Sequence, residues 1–307
     1  MKWKRHGVLW APPGDLATAR SHASLPTPML LSDGLVRVFV TCRDSLGRGR
    51  PFWVDLDVQR EPTLVRVSTG PALDLGKAGT FDQDGVACTS VLAMLDGTVR
   101  MYYAGFELLT RIRYRILTGV AISWDGGDSF SRQSQVPLLE RSEEQLAFRC
   151  GASVWPSDDS FRMYYVGGSD WTELAGRQVP SYELFVTEST SPSVWPSPGR
   201  KILPVDDLCA AYGRPWPLQL PNGISLLLFS VRDRALGEYR MASAPLSADG
   251  SLGPLEMGIG LEPPERTYAS SVTLHAATIT VEGRTWCFYN GDDFGRDGFA
   301  VAELVEC

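Results

Sequence analysis

One aromatic and aliphatic run recurs five times along this chain at nearly constant spacing: RVFVTCRD from Arg37, RMYYAGFE from Arg100, RMYYVGGS from Arg162, LLLFSVRD from Leu226 and WCFYNGDD from Trp286. The starts are 63, 62, 64 and 60 residues apart. A period of this size marks one supersecondary unit used repeatedly, each copy burying a face against the next. Every unit has the same order. An apolar strand such as VACTSVLAML or GASVWP comes first, then a turn rich in Gly, Asn or Asp (SDG, LDG, SDDS, PNG, VEG), then the aromatic strand. A variable loop and a third strand follow (FWVDLDV, TGVAISW, YELFVTES, YRMASAPL, FAVAEL), and a fourth stretch closes units one to four. Turn residues between apolar runs signal hairpins. Long helical periodicity is absent, and 30 Gly with 21 Pro suit many short strands.

The predicted fold class is all-β: a five-bladed β-propeller made of four-stranded antiparallel sheets, one domain over residues 1–307. The blades fall at about 20–75, 80–138, 147–203, 210–259 and 266–306, the last completed by 2–12. The fifth unit ends at Cys307 without a fourth strand. The N-terminal segment WKRHGVLWAP supplies one, because it is similar to FSRQSQVPLL of unit two, Trp3 answering Phe130 and Arg5 answering Arg132. An N-terminal strand joining the last blade closes the ring and removes a free edge.

The net charge is −7 with no basic run, which argues against a nucleic-acid or anionic-membrane partner. No window approaches the roughly 18 apolar residues of a membrane span. The opening MKWKRHGVLWAPPG lacks the apolar stretch of a signal peptide. The six cysteines stand singly with no CxxC pair, a pattern that favours buried thiols over a disulfide framework. The chain therefore reads as cytoplasmic, and its oligomeric state is left open.

Propeller geometry says where a site should be. The inner strands surround a channel, and the loops leading into them converge as a funnel. GTFDQDGVAC places Asp82 and Asp84 immediately ahead of the inner strand of blade two, although acidic residues are poor strand formers. The matching positions carry Arg20 and His22 in RSHASLPTP, Arg149 in AFRCGAS, Arg214 and Trp216 in AYGRPWP, and Arg266 with Tyr268 in RTYASS. Loops after the second strands add Arg43, Asp44, Asp170, Trp171, Arg232, Asp233, Asn290, Asp292 and Asp293. So many charges in one funnel suit an anionic or polyhydroxylated substrate held bidentately by Arg, and the same residues also suit inter-blade salt bridges. Trp171 and Trp216 suit stacking on a sugar or core packing. In SYELFV, Glu183 beside Tyr182 is either a buried acid of raised pKa or an outward strand residue. His22 has the side chain nearest neutrality. No G-x-S-x-G, H-E-x-x-H or G-x-G-x-x-G occurs, and no cofactor is expected.

FDQDGV, the repeated RMYY strands, SWDGGDSF, GRPW and the closing YNGDDFG resemble the superfamily of five-bladed propeller glycosidases: arabinanases, β-xylosidases, invertases, levansucrases and mannoside phosphorylases. The resemblance covers the whole chain and is nearest to a glycosidase-like subgroup with an S-H-A-S-x-P-T-P motif. SWDGGDSF looks like the Asp-box turn of sialidase-type propellers, in which Asp125 caps its own turn. The resemblance implies three carboxylates, one from each of the first three blades. Asp82 or Asp84 fits blade two, whereas His22 and Arg149 stand where blades one and three should supply acids. Asp44, Asp170, Glu183 or Asp207 are the available substitutes. The resemblance also implies a channel cation near His275, but no metal-ligand spacing surrounds it and no metal is expected. The functional expectation is a glycosidase-like enzyme acting on an anionic, sugar-like small molecule by carboxylate or His acid–base chemistry, in polysaccharide or secondary-metabolite biosynthesis. The alternatives are a lyase, isomerase or cyclase on the same scaffold, or a non-catalytic small-molecule binding module.

Overall fold

Apolar runs without alternation make strands buried on both faces, and the aromatic strands of the repeat are of this kind: Val36 through Cys42 are buried without exception. The computed structural model of the chain describes residues 1–157, 159–174, 176–235, 237–261 and 272–307. Strand β1 (Lys2–Trp10) opens the chain. β2 (Ser21–Ser32), β3 (Leu35–Arg43), β4 (Gly49–Asp57) and β5 (Thr63–Val67) pair in that order as one antiparallel sheet. β6 (Gly85–Ala93), β7 (Val99–Leu108), β8 (Tyr114–Ser123) and the short β9 (Ser131–Arg132) repeat the arrangement.

The third sheet starts with β10 (Phe148–Ser157) and β11 (Ser160–Gly168). A separate hairpin, β12 (Trp171–Leu174) and β13 (Arg177–Pro180), intervenes before β14 (Glu183–Ser189) and β15 (Arg200–Leu203) complete it. A two-residue parallel contact, Phe148 to Ile116 and Arg149 to Leu117, links this sheet to the second. β16 (Cys209–Gln219), β17 (Ser225–Asp233), β18 (Tyr239–Pro245) and β19 (Glu256–Met257) form the fourth sheet. The last contains β20 (Leu274–Val281), β21 (Arg284–Asn290) and β22 (Phe299–Glu306), with a short helical turn α1 (Asp292–Gly295) between the latter two. β1 pairs antiparallel with β22, Trp3 opposite Leu304 and Val8 opposite Ala300, giving this sheet its fourth strand from the other end of the chain.

Neighbouring sheets share cores. Phe39 and Trp53 meet Phe81, Met101 and Tyr103 between the first and second sheets. Trp286, Phe288 and Phe299 meet Phe52 and Val54 between the last and first. Trp3 packs with Trp216, Leu228 and Tyr289, and its indole donates to the Ile259 carbonyl at 2.7 Å. The hairpin turn at Glu282–Gly283 has positive φ at both residues (50° and 77°), the geometry that matches the twist of tightly connected strands.

The SWDGGDSF turn is a structural tie. Asp125 accepts from the backbone N–H of Asp128 and Ser129, each at 3.0 Å, and from the hydroxyls of Ser123 and Ser129, each at 2.6 Å. Burial pushes its pKa up, but these bonds outweigh it and bring the value down to about 2. The turn is anchored on the first sheet through Asp128, which accepts from Arg37 at 2.6 Å.

Candidate active site

The inner strands carry the same irregularity in every sheet. The ladder with the second strand slips between Ser24 and Thr27 on β2, Cys88 and Ser90 on β6, Cys150 and Ser153 on β10, Gly213 and Trp216 on β16, and Leu274 and Ala277 on β20. A β-bulge bends a strand and re-aims a side chain. Leu25, Gly151, Arg214 and His275 lie in these slips with positive φ, a conformation that costs about 1–2 kcal/mol for a residue with Cβ. The inner strands also touch one another in sequence: β2 lies against β6 and β20, β10 against β6 and β16, and β16 against β20.

Arg214 uses this geometry to cross between sheets. From β16 its guanidinium donates to the Pro26 carbonyl at 2.8 Å, the Thr27 hydroxyl at 2.7 Å and the His275 carbonyl at 3.1 Å. Its Nε is buried without an acceptor, and among the described residues no carboxylate pairs with it. Burial lowers its pKa to about 9, so it stays charged at neutral pH. Burial and the Arg214 charge lower His275 to about 3, leaving a neutral imidazole whose Nδ1 has no partner. A cation beside that guanidinium is electrostatically opposed. Among the described residues no group of three or more His, Cys, Asp or Glu side chains is placed to hold a metal ion.

A second cluster lies where second strands end and third strands begin. Tyr114, Tyr182 and Tyr239, from three different sheets, are close enough to perturb one another, and Arg232 acts on all three. Burial raises each phenol: Tyr239 to about 12, Tyr114 upward, and Tyr182 well above its usual value. All three therefore remain neutral hydrogen-bond donors at physiological pH. The Arg232 guanidinium lies 4.3 Å from the Tyr239 ring centre. Trp171 stands edge-on to Tyr114 at 5.1 Å and near Phe148 at 5.5 Å, and Phe148 meets Tyr182 at 4.8 Å. From α1, Phe294 reaches Tyr239 at 6.3 Å and His275 at 6.0 Å, connecting this cluster to the bulged strands.

His22 completes the far side. It is 7 % exposed, holds φ at 66°, and its Nδ1 lies 2.8 Å from the Ser21 hydroxyl. Burial, with Arg43 and Arg296 adding to it, lowers its pKa to about 4 against the opposing influence of Asp293. Arg43 is itself lowered by burial and by Arg296.

The expected carboxylates separate into two groups. Asp84 is half-buried, accepts from the Leu108 N–H at 2.8 Å and makes no ion pair among the described residues; Leu108 faces Tyr114 across the ladder. Asp82 is fully buried in an ion pair with Arg132 at 2.7 Å and a bond from Thr80 at 2.8 Å. It precedes the first residue of β6 and so points under β9, tying strands together. Glu183 pairs with Lys201 of the adjacent β15 at 2.7 Å. Asp44 is consumed by its own hairpin, accepting from the Leu46 and Arg48 N–H groups at 2.9 Å each, and from the side chains of Arg48 and Arg50.

Several other expected residues have structural partners. Arg149 gives its guanidinium to the Glu140 carbonyl, the Ser197 hydroxyl and Tyr165, away from the tyrosine cluster. Trp216 is 3 % exposed against Trp155 in the inter-sheet core, its indole bonded to the Thr278 carbonyl, so it offers no stacking face. Asn290 is fully buried and bridges to Leu25 and Ala23. Exposed Arg20 bonds the Gly14 carbonyl; the Asp170 carbonyl closes the base of the β12–β13 hairpin through the Ser181 N–H. Asp233 accepts from the Ala235 N–H and Asp292 from the Val272 N–H, each at 2.8 Å. Arg266 and Tyr268 lie outside the described residues.

The structure thus brings together His22, Arg43, Trp171, Tyr182, Arg232 and His275 from the expected set. Sequence reading missed Tyr114, Tyr239, Phe294 and Arg296. A signal for the tyrosines was present: in units two, three and four a Tyr begins or immediately precedes the third strand.

No protein-family model matches the chain. An uncharacterized protein of Mycobacterium tuberculosis strain H37Rv, Rv1502, is 28% identical over 310 residues, covering 99% of each chain. Among solved structures, one described as a glycoside hydrolase superposes with a TM-score of 0.72 at 14% identity, covering 99% of this chain and 92% of its own. Another belongs to work on the GH130 family of mannoside phosphorylases, which contains glycoside hydrolases that target β-1,2-mannosidic linkages in Candida mannan. It superposes with a TM-score of 0.69 at 13% identity, covering 98% of this chain and 93% of its own. At such identities the likeness establishes the fold: nearly all β, of the propeller type found in glycoside hydrolase-like enzymes.

Proposed function

We propose that the chain is a single five-bladed propeller closed by β1, and that its central funnel binds and transforms an anionic, sugar-like small molecule. The cyclic order of contacts among the inner strands, the bulge each of them carries and the β1–β22 ladder support the five-bladed ring. The observation that carries the functional reading is the arginine-rich, aromatic funnel itself. Arg43 and Arg232 occupy matching strand ends, make no ion pair among the described residues, and stand beside neutral phenols and a neutral His22. Uncompensated guanidinium groups favour a ligand bearing carboxylate, phosphate or sulfate, and tyrosines supply flat faces and hydroxyls for a sugar ring.

In this reading Asp84 serves as the base or orienting carboxylate. His22, unprotonated at neutral pH, accepts a proton, and the high-pKa phenols donate hydrogen bonds to leaving or ring oxygens. Such a small acidic sugar fits polysaccharide or secondary-metabolite biosynthesis, and five buried free thiols, Cys42, Cys88, Cys150, Cys209 and Cys287, suit a reducing cytoplasm. A second reading, a lyase, isomerase or cyclase, is favoured by one specific observation: Asp82 and Glu183 are spent on Arg132 and Lys201, so neither is free to act as a second acid opposite Asp84.

A panel of 4-nitrophenyl glycosides, uronides beside neutral pyranosides, separates these. Hydrolysis predicts nitrophenol release from a uronide that falls at least about 100-fold in Asp84→Asn with folding intact. Absorbance from an unsaturated product, or an isomerised sugar by NMR without nitrophenol, selects the second reading. Equal activity of Asp84→Asn removes Asp84 from the chemistry.

A further inference from the structure

Other buried arginines in this protein have most of their donors accounted for, although the Nε of Arg149 and of Arg214 lacks an acceptor. Arg37 is held by Asp55 and Asp128, Arg50 by Asp44 and Asp74, and Arg132 by Asp82. Arg214, which lacks a carboxylate, still makes three hydrogen bonds to oxygen. Arg232 goes further, with two orphaned nitrogens. Its Nε and Nη1 are both inaccessible and without any acceptor, although the side chain as a whole is only half-buried. In the same cluster, against Tyr114, the Trp171 indole Nε1 is likewise buried with no acceptor. Buried donors are nearly always satisfied, so three orphaned N–H groups in one cluster mark a place built for acceptors that come from outside the chain.

Among the described residues no ion pair neutralises the charge. Asp233 turns its carboxylate to the Ala235 N–H of its own loop. Burial keeps Tyr114, Tyr182 and Tyr239 protonated, so none becomes a counterion. The tyrosines stand at the starts of the third strands of three sheets, and Trp171 comes from the β12–β13 hairpin, whose Thr172 contacts Arg234 at 3.5 Å.

We propose that Arg232 and the Trp171 indole form an oxyanion-binding subsite, which takes the carboxylate, phosphate or sulfate group of the ligand while Tyr114, Tyr182 and Tyr239 enclose its carbon skeleton. This rests on the reading that the funnel receives an anionic sugar, and it assigns the anionic group to one place in it. Arg43, beside His22, is left for the rest of the ligand.

Isothermal titration calorimetry of the full chain with D-glucuronate, inorganic phosphate and inorganic sulfate tests this, using wild type, Arg232→Gln, Arg232→Lys, Trp171→Phe and the exposed-strand control Arg177→Gln. Wild type is expected to bind at least one probe, and which one identifies the oxyanion. Arg232→Gln should weaken that binding at least tenfold, Arg232→Lys should restore part of it, Trp171→Phe should weaken it about threefold and Arg177→Gln should leave it unchanged. Binding of equal strength in wild type and Arg232→Gln overturns the subsite but leaves the anionic-ligand reading standing. Failure of all three probes with wild type, alongside binding of a neutral pyranoside, overturns both. If Arg232→Gln does not fold, Arg232→Lys and Trp171→Phe still decide: wild-type affinity in both overturns the subsite.

Discussion

Arg37, 1 % exposed, shares its guanidinium between Asp55 at 2.7 Å and Asp128 at 2.6 Å, while Asp55 also accepts from Arg66 at 3.0 Å. Removing Asp55 leaves the Arg37 charge buried with only the half-exposed Asp128 to offset it. Asp55→Ala is expected to lower the unfolding free energy by about 3–5 kcal/mol in urea titrations; a loss under about 1 kcal/mol means water replaces the carboxylate. His22 makes a prediction in pH. Its folded pKa, about 4, lies below the ordinary histidine value of about 6.5, so the unfolded chain takes up the proton first. Its contribution is fully present above pH 6.5 and is lost as pH falls toward 4, an effect of up to about 3 kcal/mol. His275 acts in the same direction down to about pH 3. His22→Asn, which tolerates the positive φ, should therefore lose less stability than wild type between pH 7 and 4.5. Parallel losses place the titration elsewhere. Which carboxylate would be free was not legible at this scale: Asp82 and Asp84 look alike in FDQDG, and the partner that consumes Asp82 is Arg132, 50 positions away.

Among the elements, the fivefold strands were legible because burial on both faces writes an uninterrupted apolar run, as in β3 and β7. The pairing partner of the N-terminal segment could also be expected, since Trp3 and Arg5 repeat the pattern of Phe130 and Arg132. Trp3→Ala tests how much β1 matters. Its ring is 8 % exposed, so truncation should cost about 3–5 kcal/mol, as for a central core aromatic and unlike a fraying terminus. A change below about 1 kcal/mol in urea unfolding shows β1 to be dispensable. The β12–β13 hairpin was not legible. WTELAGRQVP exposes or half-exposes nearly every residue, so no burial pattern distinguishes it from the variable loop expected there. The inner-strand bulges were hidden for a different reason: only Gly151 is a glycine, while Leu25, Arg214 and His275 adopt positive φ with side chains that ordinarily avoid it.

For the whole molecule, a net charge of −7 coexists with two guanidinium groups, Arg43 and Arg232, that make no ion pair among the described residues. Acidic residues such as Asp44, Asp82 and Asp125 are committed to ties and turns, and the proposed function assigns Arg43 and Arg232 to the ligand. Ligand binding at such a site should weaken with salt, though less than for exposed charges, because the guanidinium groups are partly buried. The most direct test of the account is ligand-induced thermal stabilisation of the full chain across acidic sugars, nucleotide sugars and neutral pyranosides. A ligand that binds only the folded state raises the melting temperature with its occupancy. The account predicts that one or more acidic sugars raise it, that their neutral counterparts do not, and that the rise is lost in Arg232→Gln. Equal stabilisation by neutral and acidic sugars, or none by any acidic member of the panel, contradicts it.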